Sequence, residues 1–248
     1  HLPTLPAKTI LSRITPRSVP YCDDSAYFEH FTTARLGMVG WNSWDFAYES
    51  FLDCDKRSFR NISGHDVKCG VGPGCKGGKF LINASNIAAD AANSEVTLIS
   101  TWFNDHKAFL THYACFDGEK IMYEQTAEVT IPSIMRMIKE IHAKNPKVSI
   151  LVMALYPPTL NYKVVEAEMP WISRLNARVK EAVEQEPRTY FVDYEIPSGD
   201  KLEMYDRVHY GHPNCRGAKV MVYAALQKMY DIKVLSRGIR VVDWEKNI

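Results

Sequence analysis

The 248-residue sequence has no long apolar run and almost no net charge. No stretch of about 18 consecutive apolar residues occurs, so the sequence predicts no transmembrane helix. The formal net charge of +1 gives no electrostatic reason to expect a nucleic acid or an anionic membrane as a partner. A Gly-x-x-x-x-Gly-Lys-Ser/Thr phosphate-binding loop is also missing. Because 46% of the residues are hydrophobic, we expect one soluble, enzyme-sized domain with a well-filled core.

Cysteines and glycosylation sequons indicate the secretory route of a eukaryote. The sequons begin at Asn61 and Asn83. The chain opens at His1, as a secreted protein would after removal of a signal peptide, so we expect an extracellular glycoprotein. The spacing of the cysteines fits no zinc pattern, and we expect them to form three disulfides, with some free buried thiols as the alternative. The six cysteines are Cys22, Cys54, Cys69, Cys75, Cys115 and Cys215.

Strand-like and helix-like segments alternate after an irregular, proline-rich start. The predicted strands are Leu36–Gly40, Asp66–Gly72, Glu95–Thr101, Val148–Leu155 and Thr189–Tyr194. Three helical faces lie between or after them: Ile134, Ile138 and Ile141; Ile172, Leu175, Val179 and Val183; and Ala218, Val222, Leu226 and Met229. This pattern predicts a three-layer α/β/α sandwich around a mostly parallel, flavodoxin-like sheet of about five strands. We expect a single domain over residues 1–248, with an irregular extension at 1–34 and a tail at 232–248.

Candidate site residues follow the first three predicted strands. Ser43 comes after the first strand, Gly77 lies in a glycine turn after the second, and Asn104 follows the third. In open parallel sheets, ligands bind beyond the carboxyl ends of the strands. A serine, a glycine turn and an asparagine in these places are the parts of an acyl-transfer site.

An acid and two imidazoles lie close together ahead of the last predicted helix. Asp206 and His209 have the spacing Asp-x-x-His, and His212 precedes Pro213, which can start a helix. A serine hydroxyl needs such a base, because it is a weak nucleophile by itself. We therefore expect Ser43 to attack a carbonyl, a histidine to take its proton, and Asp206 to orient that imidazole. The predicted oxyanion donors are the N–H groups of Ser43 and Gly77 and the side-chain amide of Asn104.

The order of these parts resembles the SGNH (GDSL-type) hydrolase superfamily, as a secreted, fungal-like member, over about residues 35–230. The last block is the best match: Asp206 to His209 reads as Asp-x-x-His, and His212-Pro213-Asn214 with Gly217 is similar to the family's His-Pro-Asn-x-x-Gly helix start. Phe103-Asn104-Asp105 is similar to the third block, Gly-x-Asn-Asp. The first and third blocks depart from the family, with Trp41-Asn42-Ser43 in place of Gly-Asp-Ser and Trp102 in place of the glycine.

Two choices stay open within this resemblance. His209 keeps the family's spacing from Asp206, whereas His212 keeps the spacing to Gly217. Ser25 retains an Asp-Ser dipeptide and is a second candidate nucleophile, although Pro16 and Pro20 make the preceding residues poor strand material.

The resemblance implies a secreted serine esterase that hydrolyses acetylated polysaccharide or lipid esters through an acyl-enzyme, without a cofactor or a bound metal. The alternative is a catalytically impaired SGNH-like module that binds carbohydrate or a protein partner. The sequence leaves the oligomeric state open.

Overall fold

The fold is known from a computed structural model, which describes a limited set of residues. These are Ser43, Ala47, 68–69, 88–89, 91–100, Asp105, 115–117, 120–155, 162–194 and 215–234. They form six strands and three helices of defined bounds: β1 (Lys68–Cys69), β2 (Val96–Ile99), β3 (Cys115–Asp117), β4 (Lys120–Ile121), α1 (Tyr123–Lys144), β5 (Ser149–Met153), α2 (Tyr162–Val183), β6 (Thr189–Val192) and α3 (Cys215–Asp231). Ser43 and Ala47 are also helical.

The larger part of this structure is a parallel sheet with β5 at its centre. β2 and β6 flank β5, with Leu151 opposite Leu98 on one side and opposite Tyr190 on the other. All five residues of β5 are buried, as expected of a parallel strand that is covered on both faces. The predictions of strands at Glu95–Thr101, Val148–Leu155 and Thr189–Tyr194 are confirmed, with shorter bounds.

Helices pack on both faces of β5, and the side chains of this strand alternate between the two faces. Ile150 and Val152 belong to a core cluster that includes α1 and α2. Leu151 and Met153 belong to a second cluster, together with Ala225 of α3. The described residues are therefore α/β, with three parallel strands and three helices.

The predicted core faces of α1 and α2 are confirmed. The buried residues are Ile134, Ile138 and Ile141 in α1, and Ile172, Leu175, Val179 and Val183 in α2. The two helices pack against each other, and Arg178 joins them at the surface through Glu124 (3.1 Å) and Glu128 (2.7 Å). Exposed ion pairs of this kind contribute little, about 0–1 kcal/mol, so the apolar faces supply most of the packing energy.

The predicted core face of α3 is confirmed in part: Met229 packs against the core cluster that contains Ala225, but Val222 does not face the core. Val222 was expected to face the core, but it is 43% exposed, and the buried apolar residues are Val220 and Ala225. Apolar residues occur on several sides of this helix, so the spacing alone left the buried side undetermined.

The predicted strand Asp66–Gly72 does not extend the parallel sheet as expected. Within the described residues, only Lys68–Cys69 of this segment is a strand, and it pairs antiparallel with β3. β3 in turn forms a hairpin with β4, so β1, β3 and β4 make a separate antiparallel sheet. Residues 36–40, 1–34 and 235–248 lie outside the described residues. None of the helices described is both long and apolar enough to cross a membrane.

Candidate functional site

Ser43 and Asp105 are in direct contact, although 62 residues separate them. The Ser43 amide N–H donates to Oδ1 of Asp105 over 2.7 Å, and the Ser43 hydroxyl donates to Oδ2 of the same carboxylate. Neither residue is exposed to solvent. Hydrogen bonds to an ionised carboxylate are stronger than neutral ones, and two of them on one group fix its geometry. One buried side chain therefore holds both the backbone and the hydroxyl of Ser43.

Thr130 of α1 is the third member of this buried cluster. Its hydroxyl donates to Oδ2 of Asp105 over 2.7 Å, and Thr130 is fully buried. Helical geometry places Thr130 on the same side of α1 as Ile134 and Ile138. The apolar face of the helix thus carries one hydroxyl into the core, where a polar group must find a partner. We call Ser43, Asp105 and Thr130 the Ser–Asp–Thr cluster.

Thr126, one helical turn before Thr130, ties the same side of α1 to β3. Its hydroxyl accepts the amide N–H of Cys115 over 3.0 Å and donates to the Met122 carbonyl over 3.0 Å. The Met122 N–H donates in turn to the Cys115 carbonyl over 2.8 Å. The start of α1 is therefore anchored to the small antiparallel sheet by Thr126 and to Asp105 by Thr130.

The carboxyl ends of β5 and β6 are held by side-chain bonds to the backbone. The Asn176 side chain of α2 accepts the Leu155 N–H over 2.8 Å and donates to the Leu155 carbonyl over 2.9 Å. The Tyr194 hydroxyl donates to the Ala154 carbonyl over 2.9 Å. Buried backbone N–H and C=O groups beyond the end of a strand have no partner in the sheet and need such bonds. These bonds fix the residues just beyond β5, at the edge where parallel sheets bind their ligands.

The structure describes one of the predicted site residues. Ser43 lies in the Ser–Asp–Thr cluster, and its N–H, which was predicted to be an oxyanion donor, donates to Asp105. The other predicted site residues lie outside the described residues: Gly77, Asn104, Asp206, His209 and His212. The rival nucleophile Ser25 and the sequon residues Asn61 and Asn83 also lie outside them.

Sequence reasoning missed the part that Asp105 and Thr130 play in holding Ser43. Asp105 was noticed only as the neighbour of Asn104, and Thr130 was not singled out at all. One sequence signal was available for Thr130, because it stands four residues before Ile134 on the predicted core face of its helix. A polar residue on an apolar face calls for a hydrogen-bonding partner in the core.

In coarse terms, the protein is an α/β protein with a parallel sheet and a buried Ser–Asp–Thr cluster. No protein-family model matches the chain, and no curated protein sequence matches it significantly. Within the described residues, no group of three or more His, Cys, Asp or Glu side chains is placed to hold a metal ion.

Proposed function

We propose that the protein is a secreted serine esterase of the SGNH kind, with Ser43 as its nucleophile. One observation carries this proposal: Ser43 and Asp105 are hydrogen-bonded to each other, although they lie 62 residues apart in the sequence. The resemblance assigns Ser43 to the first sequence block and Asp105 to the third. Because those blocks must meet to build a single site, their contact supports the expected arrangement.

The reaction proceeds through an acyl-enzyme. Ser43 Oγ attacks the ester carbonyl carbon while His209 or His212 takes the hydroxyl proton, and Asp206 stabilises the imidazolium that results. The imidazolium then gives its proton to the leaving alcohol. Water, activated by the same imidazole, releases the carboxylic acid.

Ser43 must change its hydrogen bonds before this reaction can occur. Its hydroxyl proton points to Asp105 and has to be transferred to the imidazole instead. Its N–H donates to Asp105 Oδ1, a bond that holds the Ser43 backbone in place. Gly77 N–H and the Asn104 amide are the remaining oxyanion donors of the proposal. In the reaction the Ser43 hydroxyl would therefore exchange Asp105 Oδ2 for the imidazole, while the Ser43 N–H keeps its bond to Oδ1.

We also propose a larger fold around the described residues. We expect the three described parallel strands to be part of a five-stranded sheet in a three-layer α/β/α sandwich within one domain. The substrate would be an acetylated polysaccharide or a lipid ester outside the cell, and the chain would carry glycans at its sequons.

The test uses a fluorophosphonate, which bonds covalently to an activated serine, and p-nitrophenyl acetate as a general ester. The wild type is compared with Ser43→Ala, Ser25→Ala and Ser133→Ala, with the labelled residue mapped by peptide mass spectrometry. Ser133 is a buried serine whose hydroxyl donates to the Val129 carbonyl of its own helix, so it serves as the matched control. Loss of labelling and hydrolysis in Ser43→Ala alone supports the proposal. Loss in Ser25→Ala alone assigns the nucleophile to Ser25.

A binding module without catalysis is the second candidate function. It is favoured by the burial of Ser43, which has no solvent exposure and donates both its N–H and its hydroxyl to Asp105. A serine kept in that arrangement cannot reach an ester. Folded wild-type protein that neither hydrolyses the ester nor takes up the label, yet binds an acetylated oligosaccharide in calorimetry, would support this candidate and contradict the esterase.

A further inference from the structure

We infer that Asp105 is the positioning residue of Ser43 and that Thr130 positions Asp105. This inference rests on the proposed function, since it assigns to Asp105 and Thr130 the orientation of the proposed nucleophile. Neither residue is asked to touch the substrate or to transfer a proton.

Asp105 contacts Ser43 at two points. Oδ1 accepts the Ser43 N–H and Oδ2 accepts the Ser43 hydroxyl. A side chain held at one point can still rotate, whereas simultaneous bonds to the backbone and to Oγ restrict the χ1 rotamer of Ser43. The hydroxyl bond is exchanged for one to the imidazole in the proposed reaction, whereas the N–H bond persists and keeps the Ser43 backbone in place. Displacement of a reacting atom by about 1 Å can slow a reaction by about 100-fold.

Thr130 in turn restrains Asp105. The χ2 rotation of an aspartate is broad, so the two bonds to Ser43 would not fix the carboxylate relative to the rest of the protein. Thr130 donates to Oδ2 over 2.7 Å from the buried face of α1. α1 is a 22-residue helix packed against α2 and anchored to β3 through Thr126. Thr130 thereby ties the carboxylate that holds Ser43 to a long, packed helix.

A positioning residue and a residue that only supports the fold affect the kinetics differently. A residue that only stabilises the fold changes the free energy of unfolding without selectively changing the chemical step. A positioning residue lowers kcat and leaves KM nearly unchanged, because substrate binding does not depend on the orientation of Oγ.

The experiment compares Thr130→Val, Thr130→Ser and Asp105→Asn with the wild type and with the control Ser133→Ala. Valine keeps the shape of threonine but cannot donate, whereas serine retains the hydroxyl. We expect kcat for p-nitrophenyl acetate to fall about 10- to 100-fold in Thr130→Val and Asp105→Asn, because misplacement of a reacting atom by about 1 Å can slow a reaction by about 100-fold. KM should stay within about twofold, and Thr130→Ser should restore most of kcat. Ser133→Ala should retain the wild-type kcat.

A second readout keeps the inference independent of activity. The Ser43 amide proton, recorded by NMR in the labelled full chain, should lie downfield in the wild type and in Thr130→Ser, since it donates to a carboxylate. It should move upfield and exchange faster with solvent in Thr130→Val and Asp105→Asn. These shifts in a wild type that lacks esterase activity would support the positioning of Ser43 and overturn only the proposed reaction.

Two results would overturn the inference. One is a Thr130→Val protein whose kcat and Ser43 amide signal match those of the wild type. The other is a kcat that rises in folded Asp105→Asn, because Asp105 would then obstruct Ser43 instead of orienting it for attack.

Discussion

Lys233 and Arg188 are the two non-glycine residues with a positive φ among the residues that the structure describes, at 60° and 55°. Arg188 stands after Pro187 in a turn closed by a bond from Thr189 N–H to the Glu186 carbonyl, where a type II turn favours glycine. Its guanidinium donates to the Ser149 hydroxyl over 2.8 Å, which offsets the backbone cost. In contrast to Arg188, whose side chain contacts Ser149, Lys233 has a side chain that is exposed to solvent.

Lys233 occupies the position after α3 that glycine prefers. The Val234 N–H donates to the Met229 carbonyl and the Lys233 N–H donates to the Tyr230 carbonyl, both over 3.0 Å, which is the Schellman arrangement of a helix end. A left-handed backbone costs a residue with a Cβ about 1–2 kcal/mol. Glycine avoids that cost but loses about 0.5–1 kcal/mol of conformational entropy on folding.

We therefore predict that Lys233→Gly stabilises the protein by about 0.5–1 kcal/mol. The free energy of unfolding would be measured by urea titration. Gln227, an exposed residue inside the same helix, supplies the control. Gln227→Gly should be about 1 kcal/mol less stable than Gln227→Ala, because glycine is unfavourable in a helix interior. A destabilised Lys233→Gly would contradict the helix end seen here.

Secondary structure was predictable where spacing and length agreed. The runs that became β2, β5 and β6 are rich in β-branched residues, and the isoleucine spacing in α1 marks a single buried face. The antiparallel partner of β1 was not predictable, because strand pairing over more than 40 residues leaves no local pattern. The buried face of α3 was not predictable either, since Val220, Val222 and Ala225 offered competing choices.

The pairing of β1 with β3 leads to a prediction about a disulfide. Cys115 is disulfide-bonded, and its Cα is paired with that of Cys69. The N–H of Cys115 donates to Thr126 and its carbonyl accepts from Met122, so both groups point away from β1. The Cys69 and Cys115 backbones therefore form a pair without mutual hydrogen bonds, which brings Cα atoms to about 4.5 Å. A disulfide spans about 4.4–6.8 Å between Cα atoms.

We predict that Cys69 is the disulfide partner of Cys115. A tryptic peptide that begins after Lys68 also contains Cys75, so peptide masses alone cannot decide between the two. Single Cys69→Ala and Cys75→Ala variants would be denatured without reductant and treated with a maleimide. Cys115 should be labelled in Cys69→Ala and protected in Cys75→Ala. The reverse pattern would assign Cys115 to Cys75.

The site was predictable only in outline, because it combines distant parts of the chain. The sequence pointed to Ser43 and to the segment next to Asp105, since both follow predicted strands. It gave no indication that Thr130 of α1 would meet them, because that contact depends on how the helix docks on the sheet. Candidate residue types and strand ends can be predicted from the local sequence, whereas the hydrogen bonds that hold Ser43 depend on tertiary packing.

The central strand β5 joins the two core clusters and should make them unfold together. Ile150 contributes to the cluster with α1 and α2, and Leu151 contributes to the cluster with α3. Both are fully buried. Adjacent residues of β5 contribute to the two clusters. If the helices on one face unfolded, they would expose β5, which supports the helices on the other face.

We predict that Ile150→Ala and Leu151→Ala each lower the free energy of unfolding by about 2–5 kcal/mol. Hydrogen exchange followed by mass spectrometry would show whether peptides from α2 and from α3 lose protection to the same extent in both variants. Equal loss is expected of one cooperative unit. Leu98→Ala is the control, because Leu98 is 47% exposed at the neighbouring strand and should change stability by less than about 1 kcal/mol. If Leu151→Ala increased exchange in α3 alone, α3 would be a separately unfolding unit, and the single domain that we propose would have to be divided at β5.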